Sequence, residues 1–188
     1  MRRRKSELTE QQIVEAVKAG RQEGQHQMVC RYAQRVFAMI VRQVTDVMDA
    51  QELTQDTFMR AFSHIDSYDS QRASLSTWLC RIAYRLTLDF LKRCHPLVVS
   101  IDDSKECLND ISSEELEAGL SIADEERILQ LQQLVDELSA DEQMLLTLFY
   151  FEDRPLKEIA YITGIEAGLL AKRLYRIRRK LYNRLTRI

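Results

Sequence analysis

Turn-forming residues are scarce in this chain of 188 residues, which holds 5 glycines and 2 prolines. A hairpin-rich β domain needs more of both, so the deficit points to helices joined by short loops. Long apolar runs are missing too. None approaches the roughly 20 residues of a membrane-spanning helix, so stable membrane insertion is not expected. The basic N-terminal stretch MRRRKSELTEQQ lacks the apolar segment of a secretory signal, and a cytoplasmic location is the expectation. Cys30, Cys80, Cys94 and Cys107 show no C-x-x-C spacing, and His26, His64 and His95 are scattered. The cysteines read as reduced thiols, mostly partly buried, and not as a zinc or redox site. There is no P-loop, no G-x-S-x-G and no H-E-x-x-H. Catalytic residues, metal and cofactor are therefore all expected to be absent.

What the chain does contain is apolar residues at 45%, enough for a core, and charge that is strongly segregated. The formal net charge is −2. Residues 101–142 nonetheless carry 14 acidic residues against two basic ones, Lys105 and Arg127, while 169–188 carry eight basic residues and no acidic one. Such separation suggests different surfaces for different partners, although charge runs are most often plain solvated faces.

Helical periodicity covers most of the chain. Residues 9–46 read as helical, with Thr9 as a cap and a break near Gly20 to Gly24; Val29, Tyr32, Val36, Phe37 and Ile40 have helical spacing. Residues 49–63 form a second helix that buries Leu53, Phe58, Ala61 and Phe62, with Ile65 following. HIDSYDSQRAS reads as a loop, and Ser74 or Ser76 caps a helix running to about Arg93. His95-Pro96 ends it. The polar, acidic stretch after it reads as a linker. Periodicity returns at Ile128, Leu131, Leu134, Val135 and Leu138, and Ser139 to Glu142 is a capping-box pattern that starts a helix through Tyr150 or Phe151. Pro155 opens a short helix over 155–163, Gly164 supplies a turn, and a last helix runs from about Glu166 to Arg187. The expected fold is all-α: two small helical domains, at 9–95 and 122–188, joined by an acidic linker over 96–121.

The last helix carries two stripes. Leu170, Leu174, Ile177, Leu181 and Leu185 step by 4, 3, 4 and 4; Arg173, Arg176, Lys180, Arg184 and Arg187 run beside them. Lys172 and Arg179 widen the cationic face. A short helix, a glycine turn and a longer cationic helix form a helix-turn-helix layout, whose second helix enters the DNA major groove. The alternative is an amphipathic cationic helix that only solubilises a bundle or lies on a membrane; EIAYITGI, with Ala160 at the close contact, tilts the balance to DNA. In the helix over 75–93, Leu75, Leu79, Ile82, Leu86 and Phe90 share one arc, and Trp78, Arg81, Arg85 and Lys92 the next. A tryptophan at the edge of that apolar arc can stack an unpaired base while arginines hold phosphates; as a lone tryptophan it is more commonly a core residue. Tyr68 and Arg72 sit in the loop before. Asp49, Glu52 and Asp56 form an acidic stripe suited to a basic helix of a protein partner.

Together these stretches resemble an extracytoplasmic-function (ECF) sigma factor of the sigma-70 family. DAQELTQDTFMRAF at 49–62 resembles the family's region 2.2, which docks on core RNA polymerase; the resemblance assigns Glu52, Gln55 and Asp56, with Asp49 beside them, to docking. STWLCRIAYRLTLDFLKR at 76–93 resembles regions 2.3 and 2.4, which capture a strand of the minus-ten element; Tyr68, Arg72, Trp78, Arg81 and Arg85 fall to that task. LVDELSADEQMLLTLFYFEDRPLKEIAYITGIEAGLLAKRLYRIRRKL at 134–181 resembles region 4, whose helix-turn-helix reads the minus-thirty-five element; Lys172, Arg173, Arg176 and Arg179 fall to that one. The weaker stretch at 17–46 fits region 2.1. The implied protein is a non-catalytic, dissociable polymerase subunit that selects promoter DNA, with an anti-sigma factor as a further partner. The sequence departs from the family's pattern at Arg85, where an asparagine is usual, and at Leu169 and Ala171, where a small polar residue and a cation are usual. A stand-alone helix-turn-helix regulator of duplex DNA is the alternative; it accounts for 155–187 and leaves 49–93 unexplained. A helical interaction adaptor is a third reading.

Overall fold

A computed structural model of the chain describes residues 8–94 and 125–186. The linker expected over 96–121, with His95 and Cys107, lies outside the described residues. The described residues are helical, without a strand, so the all-α expectation holds. The first group of helices is α1 (Glu10–Lys18), α2 (Gln22–Val41), α3 (Val47–Ser63) and α4 (Leu75–Cys94), with a 3₁₀ turn at Ile65–Ser67. The second is α5 (Glu125–Asp136), α6 (Ala140–Leu146), a π turn at Thr147–Phe151, α7 (Leu156–Thr163) and α8 (Ala167–Leu185).

Local chemistry sets the boundaries. Thr9 and Gln12 close a capping box on α1, and Ser139 and Glu142 close another on α6, each satisfying two backbone N–H groups that the first turn leaves open. Asp46 accepts from the Met48 amide at 2.7 Å to start α3. Ser74, not Ser76, caps α4, accepting from the Thr77 amide at 3.2 Å. Gly164 ends α7 at φ +79°, a conformation costly for a residue with a Cβ. Pro155 lies one place before the first helical turn, as the N-cap of α7. The helix expected through Phe151 keeps α geometry only to Leu146 and widens into the π turn.

The two groups share a core. Met28, Met39, Ile40, Leu75 and Leu79 are fully enclosed in the first, and Met144, Leu148, Ile159, Ile162, Leu170 and Ile177 in the second. Each such side chain contributes about 1.5–3 kcal/mol by leaving water. The α4 helix joins the groups. Its sequence shows one apolar arc, yet Ser76, Thr77, Trp78, Cys80, Ala83, Tyr84 and Thr87 are also buried, because α6 and α7 pack on that side. Among the described cysteines only Cys80 is buried; Cys30 and Cys94 are exposed, so the expectation of mostly part-buried thiols is corrected. Val29 likewise has helical spacing but is exposed.

Gly24, expected in a break, lies inside α2 where α1 crosses it. A Cβ there would fall 2.6 Å from the Ala16 Cβ and 2.9 Å from the Val17 amide nitrogen. Gly24→Ala should therefore force α1 and α2 apart and cost about 1–3 kcal/mol, a loss measurable as a lower midpoint in urea or thermal unfolding. An unchanged midpoint would rule out this close packing.

Candidate functional site

Four clusters carry the polar chemistry. The first lies between α3 and α4. Asp49, Glu52 and Asp56 line a groove of about 310 Å³ with Leu53, Phe90, Arg93 and Cys94. Gln55 is exposed on the same helix. The spacing of the carboxylates showed in the sequence; the apolar floor of Leu53 and Phe90 did not, because Phe90 comes from another helix. Val47, Met48 and Met59 are exposed on α3, so the acidic stripe is bordered by apolar groups able to bury against a partner.

The second cluster is at the start of α4. Tyr68 meets Trp78 edge to face, with ring centroids 5.5 Å apart. Trp78 is 5% exposed. It belongs to the core and is not at an exposed edge, as a bulky aromatic flanked by apolar residues usually does. Tyr68 is the half-buried, outer member of the pair, and burial raises its phenol pKa. Arg72 and Arg85 are exposed. Arg81 is half-buried, with its guanidinium 4.8 Å from the centre of the Tyr161 ring on α7, a cation–π contact.

The third is the outer face of α8. Lys172, Arg173 and Arg176 are exposed and Arg179 is half-buried. Lys180 lies 4.0 Å from Glu142, and Arg184 pairs with Glu137. The cations toward the C-terminal end are thus partly neutralised within the chain, leaving the N-terminal half of α8 as the available cationic surface.

A fourth cluster was not visible in the sequence. Arg154 is 7% exposed. Its guanidinium donates to Thr77 Oγ1 at 3.2 Å, Glu158 Oε2 at 2.9 Å, Ser76 Oγ at 3.2 Å and Cys80 Sγ at 3.3 Å. Thr77 donates to the same carboxylate at 2.7 Å, and Arg35 of α2 donates to Ser76 at 3.3 Å. Asp153, at φ +48°, makes the tight turn that aims Arg154 inward, a conformation that aspartate tolerates better than most residues. Around this centre, Gln43 donates to Thr147 at 2.9 Å, Tyr84 donates to Asp141 at 3.3 Å, and Arg42 lies 4.4 Å from the Phe151 ring centre. Burial of Glu158 opposes its ionisation, but hydrogen bonds from Thr77 and Arg154 outweigh it and hold its carboxyl below the ordinary value. Desolvation pushes the Cys80 thiol up to about 11, so it stays protonated and unreactive at neutral pH.

The comparisons with known proteins agree with this arrangement. The family model described as Sigma-70 region 2 matches residues 28–95, and that described as Sigma-70, region 4 matches residues 128–181. The chain belongs to the sigma-70 family, in its ECF group. It is 27% identical over 177 residues to the ECF RNA polymerase sigma factor SigW of Bacillus subtilis, covering 92% of this chain and 94% of that one. It is 28% identical over 187 residues to the ECF RNA polymerase sigma-E factor of Salmonella typhimurium, covering 95% of each. The fold matches that of CnrH in its complex with the cytosolic domain of CnrY, at TM-score 0.63 and 20% identity, over 94% of this chain and 97% of that one. The sigma factor RpoE of Bartonella quintana, solved with the anti-sigma factor NepR, matches at TM-score 0.58 and 19% identity, over 87% and 96%. As a family member, the chain is an alternative sigma factor for transcription initiation.

Arg154→Ala should remove the guanidinium's hydrogen bonds to Ser76, Thr77 and Cys80 and its charged bond to Glu158, costing about 1.5–3 kcal/mol. Arg154→Lys should not restore them, because one ammonium lacks the forked geometry. Urea unfolding of both variants checks this, and wild-type stability in either would refute it. The Glu158 carboxyl, with its lowered pKa, stabilises the fold above its unfolded value, and that contribution fades as pH falls through the folded one. The pH dependence of the unfolding midpoint on the acid side should therefore be shallower in Glu158→Gln than in wild type.

Proposed function

We propose that this ECF factor is a non-catalytic, dissociable subunit that binds bacterial core RNA polymerase in the cytoplasm and selects promoters through two DNA-contacting faces. The observation that carries this is the presence of an acidic, apolar-floored groove and a cationic recognition helix on different helical units of one chain. A stand-alone duplex regulator requires only the second.

Residues 9–95 would act as the unit for polymerase docking and the minus-ten element, 96–121 as the linker, and 122–188 as the minus-thirty-five unit. Asp49, Glu52 and Asp56 supply hydrogen-bond acceptors at the docking groove, Gln55 adds a further polar group on the exposed side of α3, and Leu53 and Phe90 supply apolar area in the groove. A basic helix of the polymerase fits this combination, since charge sets orientation and rate while the apolar floor supplies affinity. Tyr68, resting on Trp78, offers the stacking surface for an unpaired minus-ten base; Arg72 and Arg85 lie near enough in the fold to hold phosphates. Trp78 positions Tyr68. Arg81 would join them on leaving Tyr161. Lys172, Arg173, Arg176 and Arg179 face the upstream duplex. Each unit alone buries little area, so tight promoter binding depends on the polymerase holding both at once. Similarity to a sigma factor solved with its anti-sigma factor supports an anti-sigma partner here as well.

Co-elution of the purified chain with core RNA polymerase tests the reading. Stoichiometric binding is expected. The Glu52→Lys, Asp56→Lys double variant should weaken it by about tenfold or more, as like charges meet across the groove. A well-folded wild type that does not bind would refute the reading and leave the stand-alone regulator.

A further inference from the structure

The first turn of α8 has no side chain able to hydrogen-bond. Residues 167–171 read AGLLA. Leu170 is buried, whereas Leu169 is 51% exposed, and Gly168 and Ala171 are exposed. Leu169, Lys172 and Arg176 step by 3 and 4 and so share one helical face; all three are exposed. A single exposed leucine ordinarily means little. This one heads a cationic stripe, at the end of the helix that a helix-turn-helix inserts into the major groove. The cations define the partner on that face as polyanionic, which excludes an apolar protein groove as its natural cover.

Base edges in the major groove present hydrogen-bond donors, acceptors and one apolar group, the C5-methyl of thymine. An isobutyl group pressed on an amino or carbonyl edge removes water and returns no hydrogen bond. Pressed on a methyl group, it buries apolar surface on both sides. We propose that Leu169 is a specificity-determining residue that reads a thymine methyl group in the upstream duplex element. The assignment rests on α8 acting as the recognition helix.

The test uses holoenzyme assembled from the full chain and core RNA polymerase. It selects sites from a duplex library randomised across the promoter, and the selected sites are remade with deoxyuridine in place of each upstream thymidine. That exchange deletes one methyl group and leaves the pairing intact. At one upstream position, uracil should lower binding about fourfold, as expected for one buried methyl group. Leu169→Ala should keep polymerase co-elution and lose most of that difference. Uracil tolerated at every upstream position, selected upstream elements without thymine, or a variant as methyl-sensitive as wild type would each overturn the assignment. Loss of polymerase binding in Leu169→Ala would overturn it too, and would mark the residue as a protein contact. Selection of no upstream duplex sequence at all would overturn the recognition-helix reading itself, and this assignment with it.

Discussion

A guanidinium cannot leave water without partners for its donors, and this requirement governs how the chain's two helical groups meet. Arg154 satisfies itself on Ser76, Thr77 and Cys80 of α4 and on Glu158 of its own turn. The α4 hydroxyls face the same constraint from the other side: Ser76 and Thr77 are buried, and both accept from Arg154. Apolar contact alone would allow the groups to slide by a turn. The forked geometry of one arginine, meeting hydroxyls on consecutive residues, fixes the register. Such an interface is also polar enough to be re-solvated when the groups part, as interfaces between domains within one chain commonly are.

This packing bears directly on the residues assigned to the minus-ten element. Arg81 lies over the Tyr161 ring of α7, a contact that occupies one face of its guanidinium. Arg72 and Arg85 are exposed in the same arrangement. Of these three arginines, therefore, only Arg81 depends on where the second group sits. The groove lined by Asp49, Glu52 and Asp56 lies between α3 and the C-terminal end of α4, and the Arg154 contacts gather at that helix's N-terminal end. The acidic groove and the contact between the helical groups thus use opposite ends of one helix.

Helix identity was legible because it depends on local patterns. The stripes on α8, the capping box at Ser139 and the left-handed glycine at Gly164 are set by residues three or four apart. The acidic stripe on α3 and the cations of α8 were legible for the same reason. What the sequence did not show was anything needing two distant segments. Trp78 falls beside the apolar arc of α4, where the pattern left both a core place and a base-stacking place open; the structure buries it against Tyr68. Thr77 and Glu158 are 81 residues apart, and no spacing rule links them. Arg154 itself lies in the short turn before Pro155. A charged residue in a short turn carries no local mark of being buried. The clue was on the partner, where Ser76 and Thr77 sit in a turn otherwise rich in apolar residues.

Charge segregation takes on a clearer meaning once the pairs are located. Arg184 and Lys180 are engaged by Glu137 and Glu142, and these acids belong to the segment that reads as uniformly acidic in sequence. Part of that acidity therefore neutralises one end of α8. Lys172 and Arg176, toward the other end, are exposed. The result is a gradient along α8, from a neutralised C-terminal end to a cationic N-terminal half. The helix dipole, positive at its N-terminus, adds to that gradient. Glu166, exposed at the start of α8, opposes the dipole in the first turn, so the cationic surface centres one turn later, on Lys172, Arg173 and Arg176.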